Sequence, residues 1–216
     1  DTVLVLLLER MAMGDRAELR VDASDTARGS VGYVAEIQSL FYPDFYLDES
    51  DAITGVNWLR IRREFFAEQK EYFPDRWPRS AAAKKGLYGL SAGADVRDMG
   101  QVVNSTRARR KAEILHPHYV LMSGLLEADT DVVYDVLEVM EKNDLLPPWG
   151  MVENFSKDLG SFLPVLDSFH AALECVSAYH LWAKAEGKPD KIYEAAEDCP
   201  VLWEAVRAFY PPDKHW

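Results

Sequence analysis

Hydrophobic positions recur at helical spacing, every three or four residues, along much of the chain. This spacing predicts helices over Thr2–Met13, Asn57–Tyr72, Asp131–Lys142 and Leu166–Glu186, because side chains three and four residues apart share one helix face. Shorter or interrupted patterns predict further helices over Gly32–Phe41, Tyr119–Glu127 and Asp190–Phe209, the last interrupted near Pro200. We therefore expect an all-α fold with few strands.

Cap and turn residues support several helix limits. Thr130 is a plausible N-cap, Gly187 is a stop signal, and Pro74 ends the helix before it because the residue preceding a proline disfavours helical backbone. The helices alternate with long segments rich in glycine, proline and aromatic residues. That alternation favours helical hairpins arranged in a ring, with a cleft lined by loops, over a four-helix bundle with short connections.

The segment Gly86–Gly93, GLYGLSAG, interrupts the helical pattern with three glycines. Each glycine in a helix interior costs about 0.5–1 kcal/mol relative to alanine, so a helix is disfavoured here. The segment is also too apolar for a surface linker. It predicts a buried or cleft-lining loop.

Composition narrows the range of partners. The net charge of −12 over 216 residues disfavours nucleic acid and anionic membranes, whose recognition needs a basic surface. No run approaches the roughly 18 apolar residues of a transmembrane helix. The six Trp, ten Tyr and nine Phe are sufficient for a core and for a carbohydrate site, since sugar rings stack on aromatic faces. Cys175 and Cys199 fit no metal motif, and their pairing stays open.

Six short stretches occur in the order of motifs known from one family. They are Gly32-Tyr33-Val34-Ala35-Glu36, Ala67-Glu68-Gln69, Gly86–Ala92, His116–Tyr119, Trp149–Phe155 and Val165–Phe169. The matching motifs are Gly-Tyr-x-Glu, Ala-x-x-Gln-aromatic, Trp-Gly-Leu-Thr-Ala, Ala-Pro-x-Ala, Tyr-Gly-Phe-x-Asp-Ala-Phe and Gly-Ile-Asp-Gln-Gly. Together they resemble the glycoamylase (putative glucoamylase) family, which includes bacterial endo-β-1,2-glucanases.

The resemblance implies an (α/α)6 toroid with a polysaccharide cleft at one end, and a periplasmic or extracellular location. Its motifs belong to the C-terminal portion of the family, and a toroid of twelve helices needs roughly twice this length. We expect residues 1–216 to form a single all-α domain. This domain is either part of a barrel completed by a missing segment or another chain, or a reduced helical array.

Glycoside hydrolysis needs two carboxyl groups across a cleft, one of them protonated. The resemblance implies Glu36 as the general acid and Asp95 and Asp167 as further catalytic candidates. Glu36 and Asp95 are displaced in spacing from the family motifs, and the family's Glu-Asn on the last helix is replaced by Val176-Ser177. The alternative is that Glu36 is a solvated helix carboxylate and Asp95 an ordinary loop acid.

The resemblance and the aromatic content also indicate a sugar-binding set. Its members are Tyr33, Trp58, Tyr88, His118, Trp149 and Asn154. For each aromatic member, core packing is the alternative. His116 and His118 form an H-x-H pair, but no third ligand has suitable spacing, so we expect neither a metal nor another cofactor.

Three functions stay open from sequence. The first is a glycosidase, or related transferase, that acts on a β-glucan-like polysaccharide. The second is a non-catalytic carbohydrate-binding or structural protein with the same fold. The third is a subunit of a larger assembly, with Thr2–Met13 and the basic run Arg107–Lys111 as contact surfaces.

Overall fold

The computed structural model describes residues 32–94, 101–103, 112–126, 131–165 and 167–211, which are mostly helical. The α-helices, numbered in chain order, are α1 Gly32–Glu36, α2 Trp58–Arg76, α3 Ala81–Lys85, α4 His118–Ser123, α5 Asp131–Glu141, α6 Ser168–Ala185, α7 Lys191–Glu197 and α8 Pro200–Phe209. Two 3-10 helices, Ile37–Leu40 and Pro43–Tyr46, follow α1. The mostly helical class is confirmed, whereas the (α/α)6 toroid stays a prediction. Thr2–Met13, Asp95 and Arg107–Lys111 lie outside the described residues.

Helix α2 crosses the core and begins at the N-cap Asn57, whose side chain accepts a hydrogen bond from the Arg60 amide at 2.8 Å. The sequence-based limit before Pro74 is wrong, since α2 continues to Arg76. Pro74 lacks the amide that would bond to the carbonyl of Lys70, and only two residues of the helix follow it. The fully buried Phe73 holds this last turn against the core.

Helix α6 contributes lining residues to two cavities, one toward each of its ends. Its N-cap is Asp167, whose Oδ1 accepts hydrogen bonds from the amides of Phe169 at 2.9 Å and His170 at 3.1 Å. One face of α6 packs against α4 and the 3-10 helix Ile37–Leu40. The buried residues of α6 are His170, Leu173, Ser177, His180, Leu181 and Ala183.

Two small antiparallel sheets lie among the described residues. Strands β1 Ala92–Ala94 and β2 Gln101–Val103 form one sheet, and β3 Ile114–Leu115, β4 Asn154–Ser156 and β5 Phe162–Leu163 form the other, in the order β3-β4-β5. Gly93 lies opposite Val102, and Leu115 opposite Phe155. The sequence predicted a loop over Gly86–Gly93, whose last two residues instead belong to β1. The strands form because buried extended backbone must pair its amide and carbonyl groups.

Within the loop Gly86–Gly93, residues 87–92 are buried, as expected from its composition. The side-chain amide of Gln69 on α2 anchors it, donating to the Leu90 carbonyl at 2.7 Å and accepting from the Leu90 amide at 2.6 Å. Gly89 has a φ of +133°, and a Cβ there would lie 2.7 Å from the carbonyl oxygen of His116. Only glycine fits this position.

The main hydrophobic core lies between α2, α4, α5 and the loop, and includes Phe65, Phe66, Tyr88, Tyr119, Val136 and Phe155. A second core cluster joins the start of α2 to α8, through Tyr42, Phe45, Trp58, Ile61, Val206, Phe209 and Tyr210. In the described part of the chain, no helix is long and apolar enough to span a membrane.

Candidate active site

A cavity of about 370 Å³ opens at the N-terminal end of α6, where β1 and the segment before β4 come together. Its lining residues are Tyr33, Ala92, Gly93, Ala94, Glu153, Val165, Asp167, Phe169 and His170. Three of the stretches that the sequence singled out therefore meet at one place. They are the end of the glycine loop, the Trp149–Phe155 segment and the N-cap of α6.

Glu153 is the buried carboxylate of this cavity, with 4% of its surface exposed. Its Oε1 accepts a hydrogen bond from the amide of Ala94 at 3.2 Å, and its Oε2 lies 2.9 Å from Nδ1 of His170. The backbone of Gly93 lies directly against it, because a Cβ at Gly93 would come 2.1 Å from Oε1. The last glycine of GLYGLSAG thus leaves the space that the carboxylate occupies.

His170 is held between two carboxylates. Besides the contact with Glu153, its Nδ1 lies 3.6 Å from Oδ1 of Asp167, the half-exposed N-cap of α6. Asp167 therefore both caps the helix and orients the histidine that contacts Glu153. The sequence predicted Asp167 as a catalytic candidate, and the structure places it on the cavity.

Two further histidines form the wall behind His170. The ring of His118 stacks on that of His170, with centroids 4.1 Å apart and an interplanar angle of 7°. Nε2 of His118 lies 2.8 Å from Oγ of Ser91, in the glycine loop. Burial, reinforced by nearby His170, lowers the pKa of His116 to about 3 and that of His118 well below its ordinary value. Both imidazoles are therefore neutral at physiological pH.

The H-x-H pair does not belong to a metal centre within the described residues. No three His, Cys, Asp or Glu side chains among them are arranged to hold a metal ion. The parallel stacking of His118 on His170 directs the ring faces, rather than the nitrogen lone pairs, toward each other.

Glu174 lies one helical turn after His170 on α6 and is half-buried. Burial raises its pKa to about 8, and the negative charge of Glu153 adds to the rise. At neutral pH Glu174 therefore carries a proton. Glu153 accepts a backbone hydrogen bond from Ala94. A carboxyl group that keeps its proton near neutral pH, close to a second carboxyl group, is suited to act as the acid of an acid–base pair.

Glu36, the sequence-predicted general acid, lies in the interior. It is completely buried, and Oε2 lies 3.4 Å from Nε of the equally buried Arg62. Burial raises the pKa of Glu36 to about 7, against the opposing effect of Arg62. The guanidinium of Arg62 lies over the ring of Tyr46, at 4.6 Å from its centroid. Glu36 has the pKa of an acid catalyst, but it does not line the cavity.

The predicted sugar-binding residues are spread over several environments. Tyr33 lines the cavity, and Asn154 and His118 lie fully buried behind it. The Asn154 side chain donates to the carbonyl of Ala94 and so positions β1. The aromatic neighbour of Tyr33 on the cavity is Phe169, with ring centroids 5.4 Å apart.

Three predicted aromatic contacts do not line the cavity. Trp58 is in the second core cluster, where its indole nitrogen donates to Asp51 at 2.7 Å. Tyr88 is in the main core, with its hydroxyl 3.0 Å from Oγ of Ser123. Trp149 is half-exposed.

The sequence reasoning did not single out Glu153, although one signal could have identified it. Glu153 occupies the acidic position of the Tyr-Gly-Phe-x-Asp-Ala-Phe motif that Trp149–Phe155 resembles. A carboxylate replaces a carboxylate there. Phe169 had no such signal, because an aromatic residue near a helix start is equally consistent with core packing.

Comparison with solved structures identifies the fold. A putative glucoamylase from Bacteroides fragilis has a TM-score of 0.66 at 14% sequence identity, and the match covers 88% of this chain and 42% of that one. A β-1,2-glucanase from Parabacteroides distasonis has a TM-score of 0.67 at 12% identity, covering 84% of this chain and 24% of that one. The chain has a glucoamylase-like fold. An endo-β-1,2-glucanase from Chitinophaga pinensis, in complex with sophorotriose and glucose, matches with a TM-score of 0.61 at 10% identity, covering 84% and 41%.

The chain spans less than half the length of each of these structures. No family model matches the sequence, and no curated protein does. The glucoamylase-like fold therefore rests on three-dimensional similarity. It agrees with the family resemblance drawn from the six ordered motifs.

Proposed function

We propose that this chain carries the carboxylate machinery of a glycoside hydrolase that acts on a β-glucan-type polysaccharide. The observation that carries the proposal is Glu153, a buried carboxylate on the 370 Å³ cavity. Glu174 does not line the cavity, but it lies one helical turn beyond His170 and its raised pKa reflects the nearby charge of Glu153. The glucoamylase-like fold supports it, since proteins of that fold include β-1,2-glucanases.

In the proposed reaction, Glu174 donates its proton to the glycosidic oxygen as the bond to the anomeric carbon breaks. Glu153 then takes a proton from the water that attacks the anomeric carbon. If Glu153 itself attacks the anomeric carbon, a glycosyl ester forms; water then cleaves this ester, and the ionised Glu174 takes the proton of that water, which restores both carboxyl groups. The Ala94 amide and His170 hold Glu153 in position. Asp167 holds His170 and, being half-exposed on the cavity, is a further candidate for contact with sugar hydroxyls.

The substrate would lie against Tyr33 and Phe169, whose rings are on the cavity. Sugar rings present apolar faces that pack on such side chains. The neutral histidines behind the cavity add no positive charge. A neutral oligosaccharide suits this environment better than an anionic one.

We further propose that residues 1–216 form one domain and that another segment or chain completes the toroid. The support is the coverage of the similar structures, 24–42% of their length. The polysaccharide is therefore expected to contact residues beyond those of this cavity.

The test is hydrolysis of linear β-1,2-glucan by the purified chain, measured as new reducing ends, with Glu153→Gln and Glu174→Gln as variants. We expect each variant to lose about 10²–10⁴-fold in kcat, because the amide keeps the shape but transfers no proton. Glu141→Gln, an exposed position on α5, is the matched control and should keep full activity. Full activity in both Glu153→Gln and Glu174→Gln would refute the assignment. Glucan binding without hydrolysis by the parent chain would instead support the non-catalytic carbohydrate-binding alternative.

A further inference from the structure

A second cavity, of about 400 Å³, lies toward the opposite end of α6. Its lining residues are Tyr46, Leu59, Arg63, Leu125, Leu126, His180, Ala183, Lys184, Lys188, Asp190 and Tyr193. At 1.5 Å per residue, the stretch of α6 from His170 to Lys184 spans about 21 Å. No residue lines both cavities. The second cavity is therefore separate from the candidate active site.

The floor of this second cavity is apolar. Leu59 on α2, Leu126 in the segment that follows α4, and Ala183 on α6 each have 4% of their surface exposed or less. The partly buried rings of Tyr46 and Tyr193 form its walls. The volume is within the range of about 300–1,000 Å³ typical of small-molecule sites, which combine an apolar lining with a few polar groups.

The mouth of the second cavity is basic. Arg63, Lys184 and Lys188 supply three cationic groups in a chain whose net charge is −12. The ammonium of Lys188 lies over the ring of Trp182, 4.6 Å from its centroid, which orders this long side chain. Arg63 makes one exposed contact, at 3.7 Å, with Asp48, and such a pair exchanges readily with another anion.

Asp190 is the carboxylate among the described lining residues, and its charge is already engaged. Its Oδ1 accepts the amides of Ile192 and Tyr193 as the N-cap of α7, and its Oδ2 bonds Nδ1 of His180. The other nitrogen of that imidazole, Nε2, donates to the carbonyl of Leu40 at 2.7 Å. The acidic group is thus turned into the protein, and the cations face the opening.

We infer that this cavity binds a small organic anion with an apolar body, of the aryl or acyl carboxylate or sulfonate class. The apolar floor would take the body, and the cations at the mouth would take the charged group. A neutral sugar would gain nothing from those cations, which distinguishes this ligand from the substrate proposed for the first cavity. The inference does not depend on the hydrolase proposal.

The experiment uses two fluorescent probes that differ in one charged group. These are 8-anilinonaphthalene-1-sulfonate, which is anionic, and N-phenyl-1-naphthylamine, which lacks the sulfonate. The parent chain, folded by far-ultraviolet circular dichroism, should bind the sulfonate. In Lys184→Glu/Lys188→Glu, the sulfonate affinity should fall at least tenfold, while affinity for the neutral probe changes less than twofold.

Lys84→Glu/Lys85→Glu, at the exposed end of α3, is the matched charge control. It should leave both affinities within twofold of the parent. Ala183→Met, which fills the floor, should weaken both probes. The inference is overturned by any of three results: no sulfonate binding by the parent, an unchanged sulfonate affinity in the Lys184/Lys188 variant, or an equal loss in the Lys84/Lys85 control.

Discussion

Gly93→Ala tests most directly how the glycine loop positions the carboxylate of the candidate active site. A Cβ at Gly93 would lie 2.1 Å from Oε1 of Glu153, and 2.8 Å and 2.9 Å from Nδ1 and Cε1 of His116. Real contacts of that kind are not shorter than about 3 Å, so both neighbours must move, Glu153 by far the more. The His116 ring is completely buried. Glu153 ends in a flexible carboxyl group that faces a cavity and can move.

The magnitude follows from how far each neighbour must move. The carboxylate can swing into the cavity, and the His116 ring needs to shift by only about 0.2 Å. The loss of folding stability should therefore be near the lower limit for overpacking, about 1 kcal/mol, or about 2–4 °C in melting temperature for a chain of this size. The catalytic loss should be larger. Glu153 would leave the Ala94 amide and His170, and a misplacement of about 1 Å costs about 100-fold in rate.

The assay compares kcat/KM on β-1,2-glucan and the melting temperature for the parent, Gly93→Ala and Gly160→Ala. A Cβ at Gly160 meets no atom within 4 Å, so that variant makes the same substitution without the collision. We expect Gly160→Ala to match the parent in both measurements. Two results would contradict this prediction. One is a Gly93→Ala variant that keeps the kcat/KM of the parent, and the other is a fall in its melting temperature far larger than about 2–4 °C.

Three further predictions concern individual side chains. In the folded protein, the pKa of Glu174 is raised to about 8 and that of Glu36 to about 7. The folded state therefore keeps protons that the unfolded chain releases near pH 4.5. The stability that these two groups contribute is complete below that pH and is lost as the pH rises to about 8. Melting temperatures from pH 5 to 8 should therefore fall, and less steeply in Glu174→Gln. Glu36→Gln should lower the free energy of unfolding by about 3–5 kcal/mol, because Arg62 then remains buried without its partner. The kcat of this variant, measured below its melting temperature, should stay within a few-fold of the parent value. A loss of turnover at unchanged stability would instead make Glu36 the acid. Phe169→Ala should raise KM for glucan by about 3–10-fold, because a ring contact is lost. Trp149→Ala should leave KM unchanged, because Trp149 does not line the cavity. The reverse ranking in a titration would contradict the assigned binding surface.

The helices were predictable from sequence because their signal is local. Apolar spacing placed α2 and α6 to within a few residues, and the interruption at Pro200 separated α7 from α8. The error at Pro74 arose because a local rule was applied where a buried neighbour, Phe73, decides the outcome. Strand β3 could not be predicted from a local pattern, since it pairs with β4, far along the chain. The other strands are two or three residues long, too short for an alternation of polar and apolar residues to be recognised.

The site was predictable only where a motif named a position. Tyr33 and Asp167 were selected through the family resemblance, and both line the cavity. Trp58 and Tyr88 were selected as aromatics, and aromatic spacing does not distinguish a core from a ligand surface. The raised pKa of Glu174 depends on burial and on the charge of Glu153, a partner in a different stretch, so it exists only in the folded chain.

The bond from His180 to the Leu40 carbonyl has a consequence for the order in which the molecule assembles. It joins positions 140 residues apart and so closes a large loop of the chain. Closing such a loop costs conformational entropy, which the contact must offset before it adds to stability. During synthesis, the 3-10 helix that contains Leu40 emerges long before α6, its packing partner. Until α6 has been synthesised, the 3-10 helix cannot form this contact, and water solvates the carbonyl of Leu40. A nascent chain that stops short of residue 180 lacks this closure.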